Sequence, residues 1–180
     1  AADLAVPVAG DGPVKVRAMR AVPGMVHTEE VIVEMAPVDG ALQADPDRDL
    51  MKAAIFYRHA GTDEDLVGSH TVGFVTGLEF DPGAAFASTV SHDCHNLLVL
   101  GTDDRAMVAA ANAVLEMNGG LAVVVDGEVA AELPLPVGGL MALDPAAVVA
   151  ERVEAIEAAL RAAGCPYDSA EMTISLLGLI

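Results

Sequence analysis

Apolar positions divide the chain into a strand-rich first half and a second half in which strands alternate with helices. From Pro13, Val14-Lys15-Val16-Arg17-Ala18-Met19-Arg20 alternates apolar with basic or long side chains, as a half-exposed strand does. Pro23-Gly24 turns the chain, and Val31-Ile32-Val33-Glu34-Met35 within Thr28–Ala36 reads as a second strand. Lys52 to His59 and Thr71 to Leu78 read as two further strands, joined by a Gly/Asp-rich loop. Ala84 to Val90 fits a strand or a short helix. After Gly101, Thr102 or Asp103 can cap a helix whose stripe is Met107, Ala111, Val114 and Leu115, closed by Gly119-Gly120. Leu121 to Leu133 carries Asp126-Gly127 between two apolar runs, a tight hairpin. Pro134 and Pro136 push the chain off the sheet edge. A second helix is expected from Asp144-Pro145, with Val149, Val153, Ile156, Leu160 and Ala163 as its stripe and Gly164 as its stop. The tail from Met172 to Ile180 is apolar, which suggests that something follows or covers it.

Strands first, then strand–helix–hairpin–helix, predict an α+β or mixed α/β domain with two or three packed helices and one tight hairpin. Residues 1–13 read as an entry strand or linker. Pro37 to Asp49 reads as an acidic surface loop. Its Asp45, Asp47 and Asp49 lack the glycine and distal glutamate of a calcium-binding loop, so a solvated loop is the expectation.

Composition narrows the function. The net charge of −18, with Lys15 and Lys52 the only lysines and no basic stripe, repels phosphate backbones and argues against nucleic-acid binding. No apolar run reaches the ~20 residues that a membrane helix needs, and no basic segment precedes an apolar one at the N-terminus as in a signal peptide. Two cysteines, Cys94 and Cys165, make no disulfide framework, so a reduced, cytoplasmic setting is expected. The chain begins with Ala rather than Met, which hints at a processed or excised piece.

The chemistry concentrates in Ser91-His92-Asp93-Cys94-His95-Asn96, which runs straight into Leu97-Leu98-Val99-Leu100-Gly101. A plain core strand has no use for two imidazoles, a carboxylate, a thiol and an amide. If the segment is extended, His92, Cys94 and Asn96 share one face, with Asp93 and His95 on the other. If it forms a helical turn, His92 and His95 lie three apart on one face and could grip one metal, with a third ligand from His59 or His70. A loop or bulge feeding the strand is the remaining possibility, as is a satisfied polar turn without chemistry. Cys94 as a nucleophile beside His92 or His95 lacks any identifiable oxyanion hole. His27-Thr28-Glu29 matches the His-x-Glu half of zinc nucleobase deaminases, but the Pro-Cys-x-x-Cys half is missing, which excludes that reading. Gly138-Gly139 could offer N–H groups to an anion, a flexible turn being the simpler reading.

Several ordered stretches go further. Ser91 to Asp103, then Met107 and Asn112, then Asn118-Gly119-Gly120-Leu121 and Glu132 to Met141, resemble the C-terminal domain of adenine deaminase, of the bacterial and archaeal amidohydrolase type. Lys52 to His59 and Gly73 to Leu78 fit the same domain in the same order, and the resemblance runs from about Val14 to the end, making 14–180 one domain. Cys94 stands where the family more often has serine. The (β/α)8 barrel that carries the family's metal ligands is absent, and the tail stops where the family usually continues.

The resemblance implies hydrolysis of adenine to hypoxanthine and ammonia, in purine salvage. Manganese or iron in the missing barrel would activate water, and a carboxylate would move the proton. For this chain it implies a partner barrel domain or chain, adenine as substrate and a homo-oligomer. His92, Asp93, His95 and Asn96 would be auxiliary catalytic groups at the barrel's mouth. Ser91, Cys94 and His59 would contact substrate, and His92 and His95 would be available for an auxiliary metal. The alternatives are a non-catalytic accessory or oligomerisation domain whose polar turn is structural, and a small stand-alone metal-binding protein.

Overall fold

The computed structural model describes residues 4–22, 24–59 and 68–179. Pro23 of the expected turn, most of the Gly/Asp-rich loop and Ile180 lie outside them. In chain order the strands are β1 (Val6–Pro7), β2 (Val14–Arg20), β3 (Glu29–Met35), β4 (Ala41–Leu42), β5 (Met51–Phe56), β6 (His70–Thr76), β7 (Ala84–Ser88) and β8 (Leu97–Gly101). Helix α1 (Asp104–Glu116), β9 (Gly120–Val125), β10 (Glu128–Pro134), α2 (Ala146–Ala162) and α3 (Ala170–Ser175) follow, with a closing 3-10 turn at Leu176–Leu179.

One mixed sheet of eight strands, ordered β10-β9-β7-β8-β5-β6-β2-β3, organises the domain, and β1 pairs with β4 in a small separate ribbon. All neighbours in the large sheet are antiparallel except β2 and β6. The described residues form no barrel, and the class is α+β as the pattern predicts. Strands β7 and β8 are buried at every position because helices cover both faces there, which is why they read as continuous apolar runs rather than alternations.

Alternation still decides which helix each residue meets. Ala85, Ala87, Val99 and Ala122 face α1, whose buried side sets Ala106, Ala110 and Ala113 beside Met107 and Val114. Alanine against alanine brings the helix close. A Cβ on Gly101 would stand 2.8 Å from both Ala85 Cβ and Met107 Cγ. Phe86, Leu98, Leu100 and Val123 face the other way, toward Ile156 and Leu160 of α2 and Ile174 of α3. The result is helix, sheet, helix in three layers.

Four local expectations change. Leu115 does not join the buried side of α1; it is 63% exposed, because the sheet surface it would meet recedes into a cleft. Asp144 does not cap α2. Pro145 occupies the cap position, its carbonyl accepting from Val148 and Val149, while the Asp144 carboxylate lies 3.9 Å from Arg152. The apolar tail covers the domain's own sheet, with Ile174 and Leu177 in the core. The Pro37–Asp49 segment is built rather than merely solvated. The Asp49 carboxylate accepts from Thr76 Oγ1 (3.0 Å), Gly77 N–H (2.5 Å) and Glu79 N–H (2.7 Å), tying the loop to the end of β6.

Candidate functional site

Strand register gathers the chemistry at one end of the sheet. Phe56 pairs with both His70 and Leu97, Ser88 with Leu121, and Pro134 with Gly120. The loops that leave these strand ends therefore cluster: residues 57–59, 89–96, 118–119 and 135–143. The 91–96 segment is a turn feeding β8, neither an extended strand nor a helix. His95 N–H donates to the Ser91 carbonyl (2.8 Å), with His95 in a left-handed conformation (φ 51°).

The two histidines differ in their attachments. Ser175 Oγ donates to the Val90 carbonyl (2.9 Å), so its remaining bond with His92 Nδ1 (2.5 Å) requires the imidazole to carry the proton there. On this network His92 Nε2 is left as the acceptor. The His92 N–H also donates to the Ser175 carbonyl (3.0 Å), so His92 anchors the turn to α3. Gly178 lies so close beneath the turn that a Cβ there would fall 2.1 Å from Ser91 Oγ. His95 makes no such anchor. Its Nδ1 and Ser91 Oγ are buried atoms without a hydrogen-bond partner. Leaving a buried polar atom unpaired costs ~1–3 kcal/mol.

The backbone of this turn adds further links to its neighbours. The His95 carbonyl accepts from Arg58 Nε–H and from His59 Nε2 (3.1 Å). Arg58 Nη2 donates to the Gly138 carbonyl (2.8 Å), and the Arg58 N–H reaches Asn96 Oδ1 at 3.4 Å. Burial pulls the guanidinium below its usual pKa, with neighbouring Cys94 opposing. The guanidinium lies flat on Gly139, where a Cβ would stand 2.8 Å from Nη2. Gly138-Gly139 thus serves a cation through a carbonyl, not an anion through N–H groups. Asp93 and Cys94 are exposed.

The structure brings His59 against the 91–96 turn, where its Nε2 lies 3.1 Å from the His95 carbonyl oxygen. It separates His70, which sits at the start of β6 with its ring stacked on Phe56 at 5.2 Å. The His92 and His95 ring centroids are 6.1 Å apart. Among the described residues, however, no three His, Cys, Asp or Glu side chains gather as a metal site. The pair alone does not fit a resident catalytic metal.

Beside the turn, between α1 and strands β5 and β8, lies an open cleft of ≈ 580 Å³. Its floor is apolar, with Phe56, Leu97, Val99 and Met107, while Arg58 and Asn112 add polar groups. Arg58 and the cleft were not singled out by sequence reasoning. The signals were present: a cation next to His59 at a strand end in a cation-poor chain, and Asn112 on the exposed side of α1.

Comparison with known proteins decides the family. The family model described as the adenine deaminase C-terminal domain matches residues 25–180. The chain belongs to that family. It is 45% identical over 179 residues, 99% of its length, to the adenine deaminase of Rubrobacter xylanophilus. It is 42% identical over 163 residues to that of Clostridium botulinum and 42% identical over 171 residues to that of Moorella thermoacetica, covering 91% and 95% of this chain. These matches span only 28%, 26% and 28% of the three relatives. This adenine deaminase C-terminal domain is therefore similar to about a quarter of each longer protein. No helix among the described residues is long and apolar enough to cross a membrane.

Proposed function

We propose that the chain acts as the C-terminal portion of an adenine deaminase, converting adenine and water to hypoxanthine and ammonia only together with a catalytic (β/α)8 barrel. The manganese or iron that would activate water belongs, on this reading, to the barrel. The 91–96 turn lines or closes over the purine, in a cytoplasmic enzyme of purine salvage. One observation carries the assignment: His95 Nδ1 and Ser91 Oγ are buried without partners in a turn that Ser175, Arg58 and His59 otherwise hold through its backbone. Such atoms are costly to leave unpaired unless another group comes to meet them.

The roles within the turn divide. His95, with its unpaired Nδ1, is the group offered to substrate or to a barrel residue. His92 is a positioning residue, because Ser175 holds its Nδ1, and only Nε2 remains to accept a bond. Asp93, Asn96, Cys94 and His59 complete the rim. In the full-length enzyme, His95→Ala is expected to lower kcat/KM for adenine by tenfold or more while leaving metal content unchanged. Unchanged turnover in both His92→Ala and His95→Ala would sink the assignment.

The accessory-domain reading draws on the His92–Ser175 bond, which is a structural use of one of the two imidazoles. It predicts that His92→Ala lowers stability without altering the KM for adenine.

A further inference from the structure

We propose that the loop end of the sheet, comprising the cleft beside α1 and the apolar tip at residues 137–143, is the face against which the preceding, catalytic portion of the same polypeptide packs. This rests on the reading of the chain as one part of a longer deaminase, and it adds the surface. Leu140, Met141 and Leu143 are 40%, 60% and 79% exposed, and Leu115 at the cleft rim is 63% exposed. Large apolar side chains scattered singly are ordinary, but a contiguous set marks an interaction site.

The cleft and the tip adjoin. Arg58 lines the cleft and also holds Gly138 and lies on Gly139, while cleft-lining Gly119 approaches Gly139 so closely that a Cβ would stand 2.5 Å from its Cα. The tip, closed by the bridge between Val137 and Met141, thus continues the cleft wall. Charge sets the face apart as well. Among the described residues, no Asp or Glu lines the cleft. A surface that must desolvate against protein excludes unpaired carboxylates.

The occupant follows from where the chain enters. Leu4, 3% exposed, is itself part of the cleft wall. A match to a C-terminal domain that covers 28% of a relative places the remainder of that relative upstream. On the proposed reading, a catalytic portion joined ahead of Leu4 would be tethered beside the cleft at high effective concentration.

The test uses the full-length enzyme with Leu143→Cys, and separately Ile32→Cys on edge strand β3, where Ile32 is 56% exposed. Maleimide labelling of each site is followed by peptide mass. Labelling at position 143 at least tenfold slower than at position 32, independent of enzyme concentration, is the expected result. Equal rates overturn the proposal. So does protection that disappears on dilution, which would mark a second copy as the occupant, or protection that requires added adenine, which would mark a ligand. An adenine deaminase assay on the same samples separates the two readings. Activity with rapid labelling at 143 removes this interface and keeps the function; slow labelling without activity does the reverse.

Discussion

The two ends of the sheet treat polar groups in opposite ways. At the end where β5 begins and β8 finishes, Lys52 is fully buried, yet its ammonium lies 2.6 Å from Asp104 Oδ1 and 3.3 Å from Gln43 Oε1. Nearby, the Asp49 carboxylate accepts three bonds, and Thr102 Oγ1 accepts from the Gly83 N–H at 2.9 Å while lying 3.2 Å from the Ala84 carbonyl. That end is closed. At the other end, Ser91 Oγ and His95 Nδ1 are unpaired and Arg58 is held by carbonyls rather than carboxylates. Ionisable residues alone do not mark a functional end, since both ends have them. Incomplete pairing is what distinguishes the two ends.

Breaking the closed end should produce the largest effect. Asp104→Ala leaves the Lys52 ammonium buried with only Gln43 beside it, and removing one partner of a buried pair costs about 3 kcal/mol or more. Lys52→Met removes the buried charge itself and leaves Asp104, which is 29% exposed, able to find water, so it should cost less. Urea unfolding of both variants checks the order. A smaller loss for Asp104→Ala than for Lys52→Met would mean that the pair is not what keeps that end closed.

The corresponding change at the open end is Arg58→Met. Two carbonyls lose a charged donor, but both sit in loops at the rim of the domain, so a loss of about 1–2 kcal/mol is expected. The more telling readout is function. In the full-length enzyme, loosening the 91–96 turn from the 137–143 tip should raise the KM for adenine more than it lowers stability. A stability loss matching that of Asp104→Ala would erase the contrast between the ends.

Much of this contrast was legible in the chain, and the reason for what was not is physical. Apolar periodicity identified β2, β3, β5, β6, β8, the Asp126-Gly127 hairpin and α1, because each rests on local spacing, while the pattern leaves β7 between strand and helix and places β4 in a loop. Density of ionisable types identified the 91–96 turn. Lys52 looked like an ordinary polar position in a strand, and nothing nearby in sequence announces Asp104, 52 residues away. Asp49 looked like one of three loop aspartates. Its role depends on where Gly77 and Glu79 are brought by β6, which is a matter of tertiary register. The exposed position of Leu115 likewise depends on the cleft beneath it, and helical spacing alone cannot report that.

The smallest expected effect compares the two thiols. Cys165 lies in the α2–α3 layer toward the closed end, and burial pushes its pKa from 9.0 up to about 11, with the charges of Glu157, Asp49 and Glu79 adding to the rise and a backbone bond at Tyr167 opposing it. Cys94 is exposed in the open turn. Below pH 9 the folded and unfolded chains both keep the Cys165 proton, and its contribution to stability is fully present. Between 9 and 11 the unfolded chain gives up the proton while the folded one retains it, so stability falls as pH rises through this window. Tyr167, raised chiefly by burial and then by Cys165, adds a slope of the same sign. Cys165→Ala should therefore flatten, without abolishing, the alkaline loss of stability measured by urea unfolding. At neutral pH, iodoacetamide should modify Cys94 in the folded chain and leave Cys165 untouched until the protein unfolds. Equal labelling of the two would show that the α2–α3 layer opens as readily as the 91–96 turn is exposed, and the closed end would then be closed only by Lys52 and Asp49.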